Sequence, residues 1–464
     1  MHAVDIIILA AYFIAMLAVG FYFKQRQEGL DEYFVGGREM TARHIGLSVV
    51  ATDVGGGFSI GLGGLGFVLG LSASWLLFSG LVGAWLSAVF LVPRVKALGT
   101  AHHHRSFPDF LAYRYGEPTR LVAALVSAIG YAGFTGSQLL AGGKLAAAAF
   151  RFDLTTAVLV MSVVIVVYTA LGGLQAVVYT DTAQWAILFV GLIGLAIPLG
   201  WIAVGGAHGL KSSLPPEFFS LDNVTGLQFA TWMSTIVPIW FVAMTLYQRI
   251  HASRDAATAR RAWFVAGLLE YPAMAFMGAT LGLFARVLYP TADPEMGLPL
   301  LIRDVLPIGV TGLVLAAYFA AIMSTADSCL LASVGNIIDD IVGRHVAPAT
   351  SERTLLRLSR VLTLVVGFGS VGFALYVPRV IDSILLAYSF MVAGLFFPTL
   401  GALWWRRASG MAAFWSIVGG GGITVVLTLA DINSIDPVFF GLAVSAVVLF
   451  LLSLWFPATR KFDG

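Results

Sequence analysis

Charge is what this sequence has little of. Of its 464 residues only 11% are Asp, Glu, Lys or Arg, where a soluble domain carries about 25%. That excludes an ordinary water-soluble enzyme or binding module. A hydrophobic content of 59% excludes a disordered chain, which lacks the apolar residues to collapse. Cysteine is nearly absent. The single Cys329 rules out an intramolecular disulfide and any zinc cluster of paired cysteines. The net charge of +2 supplies no basic surface for nucleic acid. No GxxxxGK[ST] motif is found, so no nucleotide is expected. No Ser/His/Asp set falls at membrane depth, so the chain is not read as an enzyme.

What is there is apolar sequence in long runs. A helix needs about 20 apolar residues to cross a bilayer. Thirteen runs qualify, at about 3–23, 44–70, 73–98, 121–150, 154–173, 175–204, 227–248, 262–288, 308–335, 355–378, 382–405, 409–430 and 437–457. They are numbered here as spans 0 to 12. The expectation is an all-α polytopic membrane protein with the lipid bilayer as its main partner. No obligate protein partner is evident.

Thirteen spans place the two ends on opposite sides, and the Lys/Arg bias says which. With the N-terminus outside, 21 of the 27 bases fall on the inner side. The outer side keeps Lys144, Arg151, Lys211, Arg286, Arg303 and Arg379. A miscounted span would scramble this alternation. The expected location is a bacterial cytoplasmic membrane, with the C-terminus inside.

Acids inside spans are costly and usually functional. Four lie well inside: Asp53 (span 1), Asp181 (span 5), Glu270 (span 7) and Asp327 (span 8). At 1.5 Å per residue, Asp53, Asp181 and Asp327 fall roughly 5, 10 and 9 Å to the cytoplasmic side of mid-span. One slab holds all three, which suggests one site. Glu270 lies about 8 Å to the same side, without a companion motif.

Beside Asp53 stand Gly55, Gly56 and Gly57. Each glycine costs roughly 1 kcal/mol in a helix interior relative to alanine. The run predicts a broken helix whose bare carbonyls could bind a small cation; the bland reading is a small-residue packing seam. In span 8, Ala321, Ser324, Thr325 and Ser328 share a helix face. Hydroxyl and carbonyl oxygens suit a hard cation such as Na⁺. The bland reading is hydroxyls bonded back to their own helix.

These residues carry a family resemblance. Asp31–Arg38 (DEYFVGGR), Tyr168–Gln184 (YTALGGLQAVVYTDTAQ), Tyr247–Arg249 with Ala252 and Asp255, Met323–Ser328 (MSTADS) and Pro398–Arg407 (PTLGALWWRR) resemble, in order, segments of the sodium:solute symporter family. The resemblance implies a leucine-transporter-like fold. Residues 1–43 would form a peripheral helix and cytoplasmic loop. Residues 44–204 would form the first five-helix repeat and 205–405 the inverted second. Residues 406–464 would hold the peripheral spans 11 and 12. Broken spans 1 and 6, the latter interrupted at Pro238, would frame the site.

The resemblance also implies Na⁺ as the coupling ion. One Na⁺ site would use the carbonyls of Ala51, Val54 and Ala321 and the hydroxyls of Ser324 and Thr325. A second, found in some members, would use Asp181, Ser324, Asp327 and Ser328. The expected function is Na⁺-coupled symport of a small organic solute by alternating access, the solute being amine-bearing or zwitterionic, such as an amino acid. Transport of an organic anion (a carboxylate), or Na⁺-dependent sensing without transport, are the alternatives. Asp53 would pair with a substrate ammonium or else organise Na⁺. Gly55, Gly56, Gly57, Phe58, Trp75, Phe78, Gln138, Trp240 and Tyr388 are the further substrate candidates, by their nearness to the expected cavity and by possible cation–π contact. Ser389 is a weaker one.

Overall fold

The computed structural model describes residues 1–24, 30–35, 40–53, 55–432, 435–456 and 458. Val54, Gly36, Gly37 and Arg38 lie outside the described residues, as do the side chains of Asp53 and Phe58. The described chain is helical almost throughout, as backbone in hydrocarbon requires, because every amide must be satisfied within its own segment. Among the described residues, nine helices are long and apolar enough to cross a membrane, and two bent pairs raise the count to eleven. The remaining expected spans are also helical. Span 0 is Ala3–Lys24. Span 1 is split into Ala42–Asp53 and Gly56–Leu69, each too short to cross alone.

Span 8 occupies the centre. It runs Val310–Gly335, and only Val310 and Leu313 of its 26 residues escape burial. A helix buried on all faces needs apolar or hydrogen-bonded residues all round, which accounts for its uniform mix of Ala, Leu, Ser and Thr. Spans 11 (Gly410–Leu429) and 12 (Pro437–Trp455) differ. They expose Val425, Val426, Leu429, Phe450, Leu451 and Trp455, an outward apolar face suited to lipid.

Two expectations about breaks are refined. Spans 4 and 5 join as one run, Leu154–Phe189, interrupted at Gly173 with φ +63°, a conformation open to glycine at little cost. Span 6 does not break at Pro238. Its helix Gly226–Val242 continues through the proline, and the break falls at Ala243 (φ −69°, ψ +114°) before Met244–Ala252. The two halves meet at 40°. Two tyrosine hydroxyls serve the backbone groups freed there. Tyr131 Oη accepts from Thr245 N at 3.3 Å, and Tyr247 Oη donates to Phe241 O at 3.1 Å. A proline kinks a helix but leaves its other hydrogen bonds intact. The full break sits where side chains replace the lost ladder.

The end of span 6 is pinned to the start of span 1. Met40 N donates to Ala252 O at 3.1 Å, and Arg254 N donates to Met40 O at 3.3 Å. Lys96 of span 2 (Trp75–Phe90 and Val92–His102) donates to the carbonyls of His251 and Ser253. Near the C-terminal end of span 3 (Glu117–Phe150), Lys144 donates to Glu295 Oε2 at 2.6 Å. Glu295 belongs to the short helix Pro294–Val305. Its carboxylate also accepts from Val380 N at 2.9 Å and Ile381 N at 3.2 Å, the first amides of span 10 (Val380–Trp404). A carboxylate at a helix N-terminus satisfies amides that have no partner within the helix.

Candidate cation and solute site

The break in span 1 faces the middle of span 8. Gly55 caps the helix Gly56–Leu69 in extended backbone (φ −53°, ψ −174°). An ideal Cβ on Gly55 would lie 1.4 Å from Thr325 Oγ1 and 3.0 Å from Ala321 O. Only a residue without a side chain fits. Thr325 Oγ1 donates toward Ala51 O at 3.0 Å and toward Ala321 O at 3.3 Å. Three of the five expected ligands of the first Na⁺ site therefore meet across the break. The remaining hydroxyl, Ser324 Oγ, donates to Asp181 Oδ1 at 2.5 Å. The packing-seam reading holds for the C-terminal part of span 1, where Gly66 lies against the backbone of Ala279 in span 7.

Behind Ser324 lies a second, charged cluster. Asp181 and Arg249 are fully buried, with Arg249 Nη2 3.6 Å from Asp181 Oδ2. Ser48 donates to the same carboxylate oxygen. The guanidinium spreads over spans 1, 6 and 8. Its Nε donates to Ser48 Oγ at 3.0 Å, and its Nη1 to Thr245 O at 3.1 Å. Nη2 donates to Thr52 Oγ1 at 2.5 Å and to Ser328 Oγ at 2.8 Å. Ser48 and Thr52 reach it together because they are four residues apart on one helix. A buried ion pair is tolerated when its remaining donors and acceptors are also satisfied; four of the five guanidinium donors are accounted for by geometry.

Asp327 belongs to the same face of span 8 but points elsewhere. Its Oδ1 lies 2.5 Å from Thr169 Oγ1, which is also 2.8 Å from Ile165 O. Its Oδ2 has no hydrogen-bond partner among the described residues. Glu270 is buried against Gly80 of span 2.

The expected solute contacts are distributed more widely. Asp53 ends the first half of span 1, and Gly56 and Gly57 open the second. Tyr388 packs edge-on to Phe134, ring centroids 4.9 Å apart. Gln138 is buried and donates to Ser137 Oγ at 3.3 Å. Trp240 is fully buried against Gly83 of span 2. Trp75 and Phe78 pack on each other, and then on Phe229 and Tyr271. Trp75 Nε1 donates to Leu221 O at 2.7 Å, which fastens it to the loop before span 6. Arg249, Ser48, Thr52, Thr169 and Tyr131 are absent from the sequence-based site. Their signal was weak: an arginine at the end of a span reads as an inner-loop charge, and lone hydroxyls in helices read as back-bonded.

An all-helical membrane bundle with two broken spans facing a polar centre is the architecture of a secondary transporter. A solved Na⁺-coupled sialic acid symporter in a substrate-bound outward-open state superposes with a TM-score of 0.81, over 99% of both chains, at 21% identity. The nucleobase-cation-symport transporter Mhp1, in a closed conformation with bromovinylhydantoin bound, does so at 0.53, over 90% of this chain and 92% of that one, at 13% identity. The likeness is one of fold. The sodium:solute symporter family model matches residues 33–420, and the chain belongs to that family. The osmoregulated proline transporter OpuE of Bacillus subtilis (strain 168) is 28% identical, over 97% of this chain and 95% of its own. The sodium/myo-inositol cotransporter 2 of Oryctolagus cuniculus is 27% identical, over 93% of this chain and 71% of its own. The chain is thus a Na⁺-coupled solute symporter of the membrane and not an enzyme.

Proposed function

We propose that the chain couples inward Na⁺ movement to uptake of a zwitterionic or amine-bearing small solute, such as an amino acid. Na⁺ sits at the junction of spans 1 and 8, held by the carbonyls of Ala51, Val54 and Ala321 and the hydroxyls of Ser324 and Thr325. The observation that carries the reading is the placement of Thr325 Oγ1 between Ala51 O and Ala321 O, directly across the break. A hydroxyl between two carbonyls gives up one hydrogen bond to gain an ion bound by three oxygens. Na⁺ bound there ties span 1 to span 8. An ion shifts a conformational equilibrium only through its different affinity for the two states, and this site exists only while the two spans touch. Sodium therefore stabilises the state with the junction formed, and its release inside frees the spans to separate.

Two features support the solute class. An aspartate, Asp53, ends the first half of span 1 beside the break, where an ammonium would find its counter-charge. OpuE, similar over nearly the whole chain, is a proline transporter. The similarity to an inositol cotransporter makes a neutral polyol the reading to test against. In this account the N-terminus is outside, the membrane is a bacterial cytoplasmic one, and 44–204 and 205–405 are the inverted repeats. The test is a thermal-shift panel of amino acids, betaine-like amines, carboxylates and polyols, with and without Na⁺. A ligand that binds the native state stabilises it by RT ln(1 + [L]/Kd). The reading requires an amine-bearing compound to shift the melting point only in Na⁺; a shift confined to polyols or carboxylates overturns it.

A further inference from the structure

Two cavities meet where spans 9 and 11 finish and spans 10 and 12 begin. The larger, about 550 Å³, lies between spans 3, 9, 10 and 11, against Ile129, Val366, Phe373 and Phe390 among others. The smaller, about 330 Å³, lies at the helix ends, against Asp382 and Ser389 of span 10 and Asp436 and Pro437 at the start of span 12. Leu386, Thr424 and Thr428 border both, so the two form one groove. Tyr376, which lines it, is the last residue of span 9 (Glu352–Tyr376). From there to Val366 is ten residues, roughly 15 Å of helix. That is half of a hydrocarbon core ~30 Å thick, the depth of a single leaflet.

The walls of the larger cavity ask for no polar occupant. Its serine and threonine hydroxyls are turned to their own helices. Ser370 Oγ donates to Val366 O at 2.9 Å, Thr424 Oγ1 to Gly420 O at 2.9 Å and Thr428 Oγ1 to Thr424 O at 2.8 Å. Such a space suits hydrocarbon and not a hydrated solute. The mouth is different. Asp382 and Asp436 line it, and Arg379 Nη1 stands 3.8 Å from Asp382 Oδ2. Both side chains of that pair are more than half exposed, and an exposed pair is worth so little that a ligand can part it. Asp436 Oδ1 accepts from Val438 N at 2.9 Å, and a carboxylate has further acceptor sites to offer.

We propose that this groove is a binding site for one phospholipid with a primary ammonium headgroup, such as phosphatidylethanolamine. An acyl chain fills the space between spans 3, 9, 10 and 11. The ammonium donates to Asp382 and Asp436, and the phosphate pairs with Arg379. A flat lipid-facing surface takes any lipid. A groove one leaflet deep, with charges of both signs at its mouth, selects a zwitterion. An anionic lipid would bring its phosphate to two carboxylates and one arginine with no cation of its own. The inference does not depend on which solute the protein carries.

Gly369 of span 9 lines the groove, and nothing lies within 4 Å of its missing Cβ. Gly369→Leu therefore starts a side chain in open space and takes up room meant for the acyl chain. Gly372 of the same helix is equally open but does not line the groove, so Gly372→Leu is the control. Delipidated full-length protein is titrated with phosphatidylethanolamine or phosphatidylglycerol, and bound lipid is counted by native mass spectrometry. Wild type and G372L should hold one phosphatidylethanolamine at a concentration roughly tenfold or more below that needed for phosphatidylglycerol, since a charge-assisted hydrogen bond is worth at least that factor. G369L should lose this first binding event. Asp382→Asn with Asp436→Asn, in which asparagine keeps the cap on span 12, should bind the two lipids alike. Equal binding of both lipids by the wild type overturns the proposal, as does the wild-type preference surviving in G369L or in the double variant. Should G369L fail to fold, the wild-type preference and the double variant decide alone.

Discussion

Gly55 and Thr325 are so close that a methyl group on the first would fall 1.4 Å from the hydroxyl oxygen of the second. The glycine run of span 1 is thus needed at this residue for space against span 8. Gly55→Ala should remove Na⁺ stimulation of uptake while leaving the protein in the membrane at near wild-type amount. Gly226 is the control, since nothing lies within 4 Å of its missing Cβ. Gly226→Ala should leave Na⁺ dependence unchanged. Uptake assays over a Na⁺ series on both variants check the pair.

Asp181 and Arg249 should be far more costly to lose singly than together. Removing one partner of a buried ion pair strands the other charge, at about 3–5 kcal/mol. Asp181→Asn should therefore lower the thermal midpoint markedly. Asp181→Asn with Arg249→Met should recover much of the loss, because the double variant leaves no unpaired charge. Double-mutant-cycle melting curves measure the coupling; additive losses would show that the pair does not act as one.

Tyr131 stands at the break in span 6, where its hydroxyl meets Thr245 Oγ1 at 3.0 Å and accepts from Thr245 N at 3.3 Å. Tyr131→Phe leaves a buried amide without its acceptor, a loss of about 1–3 kcal/mol. Its size suits a conformational step of the helix. Transport rate should fall several-fold while Na⁺ affinity in equilibrium binding changes little. Equal loss of both would place Tyr131 in the ion site instead.

Much of this was legible beforehand, and the part that was not has a common cause. The all-helical membrane bundle was legible because apolar length is a local property, although nine to eleven of the described helices qualify as membrane spans where thirteen were expected. Ser324, Thr325 and the glycine break were legible because polar and helix-breaking residues at depth stand out against hydrocarbon. Arg249 was not. Its sequence neighbourhood, with Arg254, Arg260 and Arg261 following, reads as the positive inner loop, and only the tertiary break at Ala243 directs it inward. The break itself was expected at Pro238 and lies at Ala243, where the hydroxyls of Tyr131 from span 3 and Tyr247 from span 6 itself serve the freed backbone groups. Trp75 and Phe78 were judged from their span alone, and their partners proved to include the loop before span 6 and the N-terminal part of span 6.

Glu295 joins the C-terminal end of span 3 to the N-terminal end of span 10 through Lys144, Val380 N and Ile381 N. Glu295→Gln weakens the contact with Lys144 and the charge at the start of span 10. The outer face should then open more readily. In a Cys329→Ala background, which removes the single native thiol, Ser383→Cys reports on this region. Ser383 is fully buried, so its labelling by an impermeant maleimide requires opening. Glu295→Gln should speed that labelling several-fold, and an unchanged rate would show that Glu295 does not hold the outer face closed.

The central claim is that Na⁺ binds where Thr325 meets the broken span 1. The most direct measurement is solute uptake into proteoliposomes under an imposed Na⁺ gradient, comparing wild type with Ser324→Ala and Thr325→Ala over a full Na⁺ titration. The account predicts that both variants insert and fold, yet show a Na⁺ half-saturation raised at least tenfold or no Na⁺ stimulation. A wild-type Na⁺ half-saturation in either variant contradicts it.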